Sequence, residues 1–176
     1  MVEVRHSYEV STKWQGNRGT GTRDYKSYGR EHLISVAGKP PIEGSADPAF
    51  RGNVERWNPE ELLLGALSQC HMLSYLHVAT NHGIVVTSYT DLASGVMEQT
   101  HDGGGHFVSV TLRPSVTIAI GASDDDSIQP ALHAAGLQAL AQDLHEEAAR
   151  KCFIAASVNF PVEHEPTTIV DAEVPA

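Results

Sequence analysis

The chain has 176 residues, with 12 basic and 22 acidic side chains, a formal net charge of -10 and two cysteines. A chain of this length is expected to fold as one domain, residues 1–176, around a core that needs no disulfide or structural metal. Its negative charge opposes non-specific attraction to nucleic acid or anionic lipid, so neither is an expected partner.

The N-terminal stretch MVEVRHSYEVSTKW alternates polar and apolar residues. It lacks the basic start and apolar block of a signal peptide, and no stretch of the chain reads as long and apolar enough to span a bilayer. A soluble cytoplasmic protein is the expectation, with both cysteines reduced at rest. Alternation over residues 2–14, 19–28 and 31–37, punctuated by Gly-Asn and Tyr-Gly, predicts an antiparallel meander. Residues 38–57, GKPPIEGSADPAFRGNVERW, are rich in Gly and Pro and show no period, so a long loop is expected there.

A helix follows from Asn58. Asn58 is the N-cap, Pro59 the first helical residue, and Glu61 completes a capping box. Leu62, Leu63, Leu64, Ala66, Leu67, Met72, Leu73, Leu76 and Val78 surround the helix on nearly every side, which predicts burial on most faces, and His82-Gly83 ends it. Two long strands are expected over Val85 to Thr100 and Phe107 to Ile120, joined by HDGGGH. Those glycines form a hairpin turn and no phosphate loop, because the Lys-Ser or Lys-Thr at a helix start is missing. A second helix is expected from Ser127 to Lys151, with Asp124, Asp125 and Asp126 at its positive end. Cys152 comes next, then an alternating strand IAASVNFPVEH, and residues 166–176 read as a flexible polar tail. Runs of strands with two helices argue for an α+β fold.

A lone cysteine in an apolar helix is most often an inert small hydrophobe. Cys70 has more context: a second thiol at Cys152, carboxylates at its helix start, and arginines at 18, 23, 30, 51 and 56. A thiol is nucleophilic as thiolate, and a guanidinium within reach stabilises that anion. Glu60 lies ten residues before Cys70, which on one helix means about 15 Å and about 80° of rotation. The two side chains cannot meet within one helix. Two copies crossing antiparallel near Gly65 and Ala66 would bring Glu60 of each toward Cys70 of the other.

NPEELLLGALSQC resembles the Asn-Pro-Glu-x-Leu element and Glu-to-Cys spacing of the OsmC/Ohr proteins, and a second cysteine after a later helix matches the other half of that signature. The resemblance covers nearly the whole chain. It implies antiparallel sheets with two central helices in an intertwined homodimer. It also implies a thiol peroxidase that reduces organic hydroperoxides without a bound cofactor and is reset by an external dithiol, a lipoyl-type one serving some relatives. Carried over by position, Cys70 is the peroxidatic cysteine, Cys152 the resolving one, and Glu60 the carboxylate that orients an arginine. Arg51, nine positions before Glu60, is the first choice for that arginine, with Arg30 and Arg23 as substitutes. Two departures stand out. CFIAAS replaces the usual Pro-x-Ser after the second cysteine, and His71 replaces an aromatic after Cys70, so the resolving step and the substrate pocket are where this chain differs.

Other readings compete. Ten histidines, with His71, His77 and His82 on the thiol helix, invite a metal, but HExxH and paired CxxC are missing and surface or satisfied histidines are expected. A cysteine hydrolase lacks a nucleophile elbow, and His71 points away from Cys70 along the helix. The main rival from another class is a non-catalytic dimeric module of the same fold that binds a hydrophobic ligand.

Overall fold

A computed structural model describes residues 4–120 and 130–171. The chain falls into two compact units, Met1–Leu63 and Leu64–Ala176.

The first unit is built on an antiparallel meander of β1 (Ser11–Trp14), β2 (His32–Ser35) and β3 (Ile42–Gly44), with Trp14 opposite His32 and His32 opposite Gly44. The strand expected over 19–28 is replaced by a run of turns. Asn17 Oδ1 accepts from the N–H groups of Gly19 and Gly21 at 2.9 and 3.1 Å, and both glycines have positive φ, +102° and +60°. Side-chain hydrogen bonds to the local backbone outcompete alternation here. The 38–57 segment carries more order than its composition implies. It contains β3 and a one-turn 3-10 helix, Pro48–Phe50, capped by Asp47 Oδ1 on the Ala49 N–H at 2.7 Å. Ser45 N–H donates to Trp57 O at 2.8 Å, which closes the segment onto itself.

Helix α1 spans Pro59–Asn81. The reciprocal cap forms as expected, with Glu61 N–H donating to Asn58 Oδ1 at 2.8 Å and Asn58 N–H donating to Glu61 Oε2 at 3.1 Å. Gly83, at φ +71°, lets the chain leave the helix while Ile84 N–H bonds Ala79 O at 2.9 Å. By length and composition alone α1 could cross a membrane, at 23 residues and a mean hydropathy of 1.2, which corrects the expectation from hydropathy. Leu67, His71, Tyr75, Val78 and Ala79 are its buried residues, while Leu73 is 59% exposed, so within this chain the helix buries one side only and not most of its faces as its composition predicts.

The second unit contains β4 (Val85–Asp91), β5 (Ser94–Gln99), β6 (Gly105–Leu112), β7 (Pro114–Ala119), α2 (Pro130–Lys151), β8 (Val162–His164) and β9 (Thr167–Asp171). The two long strands expected each break in two. Pro114 interrupts the second, and Asp91 Oδ1 binds the Arg113 N–H at 2.7 Å across the break. One sheet has the order β4-β7-β9 and another β5-β6-β8. Both antiparallel ladders carry a parallel third strand, β9 on β7 and β8 on β6, so the sheets are mixed.

Strand β8 is shorter than the IAASVNFPVEH run predicts, because Ala155–Ser157 makes a 3-10 turn first. The start of the presumed flexible tail is strand β9. Gln138 Nε2 donates to Thr168 O and Gln142 Nε2 to Pro166 O, both at 2.8 Å, so two glutamines one turn apart on α2 clasp it. The expected helix start at 127–129, the acidic run 124–126 and residues 172–176 lie outside the described residues. Tyr75, Val78 and Ala79 of α1, Ala141, Leu144 and Ala148 of α2, and Ile84, Val116 and Ile118 form the core. The α+β architecture with two helices holds.

Candidate active site

Helix α1 carries Cys70 on a half-buried face, and the chain leaving α2 places Cys152 at 1% exposure. Both thiols are free, and Cys70 lies close enough to Cys152 to influence its ionisation. Ala155 N–H donates to Cys152 Sγ at 3.4 Å, from the 3-10 turn that replaces the expected strand. Burial pushes the Cys152 thiol up to about 11, and the nearby Cys70 pushes in the same direction, against the opposing pull of that backbone N–H. At neutral pH Cys152 therefore remains a thiol. Phe153, just beyond, is exposed.

The carboxylate and the arginines belong to the first unit. Glu60 is the second residue of α1, and its Oε2 is buried with no hydrogen-bond partner among the described residues. Arg51 is exposed and holds a left-handed φ of 65° at the end of the 3-10 turn, where its N–H bonds Pro48 O at 3.0 Å. Among the described residues no ion pair joins Glu60 to Arg51. Arg30 is committed locally. It donates to Tyr28 O at 2.6 Å and Tyr25 O at 2.9 Å, and its guanidinium lies 4.2 and 4.3 Å from the centroids of those two rings. Arg23 sits exposed in the turns between β1 and β2. Of the sequence-predicted residues, then, the structure brings Cys70 and Cys152 near each other, while among the described residues Glu60 and Arg51 are not paired.

Beside the thiols lies a group that sequence reasoning missed. His71 is fully buried, and its Nε2 is 3.0 Å from His145 Nδ1 on α2. The two rings are 18° from coplanar with centroids 5.3 Å apart, an edge-to-edge pair. Tyr75 stacks on His145 at 4.0 Å, and His164 lies against His71 at 4.3 Å. Burial, with the nearby imidazoles second, lowers His71 to about 3 and His145 to about 4, and burial lowers His164 as well, although Asp91 pulls that ring the other way. All three rings are thus neutral at pH 7. Among the described residues, His71 Nδ1, His145 Nε2 and His164 Nε2 have no hydrogen-bond partner. The other helix histidines are satisfied at the surface, His82 on Glu147 and His77 on Asn81, each at 3.1 Å. Among the described residues no group of His, Cys, Asp and Glu could hold a metal ion. The signal for the buried cluster was present as His71 in an apolar helix, but its partners are 74 and 93 residues away, beyond any local pattern.

The family model described as OsmC-like protein matches residues 52–167. A solved structure of an OsmC-like protein of unknown function from Vibrio cholerae superposes with a TM-score of 0.75 at 30% identity, covering 92% of this chain and 99% of that one. An organic hydroperoxide resistance protein from Elizabethkingia anophelis shares the fold with a TM-score of 0.62 at 19% identity, covering 96% of this chain and all of that one. The uncharacterized protein YmaD of Bacillus subtilis is 25% identical over 158 residues, 90% of each chain.

Proposed function

Because the chain belongs to the OsmC-like family, we infer that it is a thiol peroxidase, reducing alkyl or lipid hydroperoxides to alcohols through its two cysteines as part of oxidative-stress defence in the cytoplasm. The observation that carries this reading is the proximity of two free thiols, one half-buried and one buried and held protonated.

The more accessible Cys70 attacks first. Its thiolate takes the terminal oxygen of the hydroperoxide, the O–O bond breaks, and the alkoxide leaves as alcohol after taking a proton. Cys70 is then a sulfenic acid. Cys152 attacks its sulfur, the S–O bond breaks, and hydroxide leaves with the thiol proton as water, giving a Cys70-Cys152 disulfide. Cys152 is the weaker acid while Cys70 is anionic. Once Cys70 is a neutral sulfenic acid, the part of the upward pressure that comes from that charge disappears.

An external dithiol resets the pair, and a dihydrolipoyl dithiol is the reductant we propose. In a homodimer the second copy would supply the remaining charges: Glu60, whose buried oxygen has no partner, orients a guanidinium, with Arg51 as our assignment, that favours the Cys70 thiolate and polarises the peroxide. Arg30 is a poorer choice, since both of its terminal nitrogens already donate to backbone carbonyls and two tyrosine rings pack against its guanidinium. Leu73, Met72 and Phe153 near the cysteines in sequence suit an alkyl chain over a small polar peroxide.

Thiol counting before and after one equivalent of cumene hydroperoxide tests the reading. Loss of both thiols, with intact mass showing one intrachain disulfide, is expected. Retention of both thiols would instead support a dimeric module that binds a hydrophobic ligand without chemistry. Undiminished turnover in monomers at high dilution would remove the second copy from the site.

A further inference from the structure

Helices α1 and α2 run antiparallel in the core, and two hydrogen bonds bridge them in order, His71 to His145 and Tyr75 Oη donating to Ala141 O at 3.0 Å, with Cys70 close to Cys152 just past the end of α2. The histidine pair is costly for a fold to keep. Two imidazoles are buried with an outer nitrogen unpaired on each, where a phenyl ring and a leucine would fill similar space without losing hydrogen bonds to water. Packing alone does not account for it. A hydrogen bond differs from apolar packing in being directional, since a rotation or slide of one helix against the other breaks it.

Its place is telling. His71 directly follows Cys70, so a fixed His71 fixes the direction in which Cys70 leaves α1, about 100° round the helix. His145 precedes Cys152 by seven residues. Helix α2 ends at Lys151, but the Cys152 N–H still bonds Ala149 O at 3.2 Å, so Cys152 continues the last turn near the face that carries His145, about 10 Å further along the axis. Ala148, fully buried, lies between them on that stripe. Anchoring His145 on α1 therefore presents the same stripe, and Cys152 with it, to Cys70. The ring is itself held from behind, with Tyr75 stacked on His145 and His164 packed on His71.

We propose that the His71-His145 hydrogen bond is a positioning device for the resolving step, setting the rotation and register of α1 against α2 so that Cys152 reaches the sulfur of Cys70. Neither histidine touches the reacting atoms. This role depends on the two cysteines pairing, as in the proposed function, but not on peroxide being the oxidant.

A disulfide probe separates the two questions. With 2,2'-dithiodipyridine, Cys70 thiolate attacks the probe's S–S bond and releases one thiopyridone. Cys152 thiolate then displaces the second thiopyridone from the Cys70 mixed disulfide, so two thiols are oxidised and one probe molecule is reduced. Absorbance resolves the two releases in stopped flow. In His145→Ala the second release is expected to slow about a hundredfold, the scale of an ångström's misplacement of reacting groups, while the first keeps its rate. His145→Asn puts an amide nitrogen or oxygen where Nδ1 was and is expected to restore closure to within a few-fold of the parent.

Equal closure in His145→Ala and the parent would overturn the proposal, as would parallel slowing of both releases or an asparagine variant as slow as alanine. If His145→Ala does not fold, His71→Gln against His71→Leu makes the same comparison from the other helix, glutamine reaching the position of Nε2. Absence of a second release in the parent protein would instead sink the thiol pairing, and with it the peroxidase reading.

Discussion

Acidification should unfold this protein through its histidines before its carboxylates titrate. His71 and His145 are 0% and 2% exposed and neutral, lowered to about 3 and about 4 chiefly by burial. In the unfolded chain each returns to an ordinary value near 6.5. Below pH 6.5 the unfolded state therefore binds protons that the folded state refuses, and stability falls as pH falls. The contribution is complete above about pH 6.5, and the loss continues down to the folded values of about 4 and about 3. Between pH 7 and pH 5 a fully refused proton costs about 2 kcal/mol, the free energy of 1.5 pH units.

His71 should show that whole amount. His145 borders an open cavity of about 520 Å3 lined also by Glu146, Arg150 and Asp143, so its share is discounted for screening to about 1 kcal/mol. The pair together gives roughly 3 kcal/mol, a large part of the stability of a domain this size. The groups facing the cluster are Tyr75 and Tyr89, both pushed up by burial and neutral throughout, and Asp91, which favours a charge on His164 and softens that ring's contribution. Urea denaturation at pH 7 and pH 5 measures the loss, and repeating it on the His71→Gln, His145→Asn double variant cancels the exposed histidines. The double variant should lose about 3 kcal/mol less than the parent. An identical pH dependence in the two proteins would refute the reasoning.

Further outcomes follow from the site and the frame. Cys70→Ser should abolish hydroperoxide turnover, whereas Cys152→Ser should keep the first oxidation and hold a sulfenic acid that dimedone traps and intact mass detects. Asn58→Ala removes the acceptor for the Glu61 N–H and should cost about 1 kcal/mol in urea unfolding. Leu67→Ala, at a fully buried position, should cost about 3 kcal/mol by the same measurement. Gly83→Ala forces a side chain into positive φ at the end of α1 and should cost about 1 kcal/mol.

The thiol helix was legible because its signals are local: Asn58, Pro59 and Glu61 lie within four residues, and the apolar run is continuous. Cys152 at the end of a second helix was legible for the same reason. What escaped was whatever depends on distant partners or on turn chemistry. Asn17 and Asp24 draw backbone donors to their side chains and defeat an alternating pattern. Thr167–Asp171 is polar and short, yet becomes a strand because β7 offers it an edge and α2 supplies two glutamines. The resemblance implies Glu60 and an arginine, and register alone favours Arg51, whereas the engagement of Arg30 with two tyrosines is something no spacing rule would weigh.

The parallel seat of β9 beside β7 has a consequence for how the chain is made. Residues 115–119 emerge from a ribosome some fifty positions before 167–171, so β7 waits with one row of amides and carbonyls bare while everything between them is translated. A naked, apolar strand edge is a template for neighbouring chains. Products truncated before Thr167 should accordingly enter inclusion bodies or be degraded, even though both cysteines are already present, and an affinity tag fused close behind Asp171 should lower the soluble yield more than one placed before Val4.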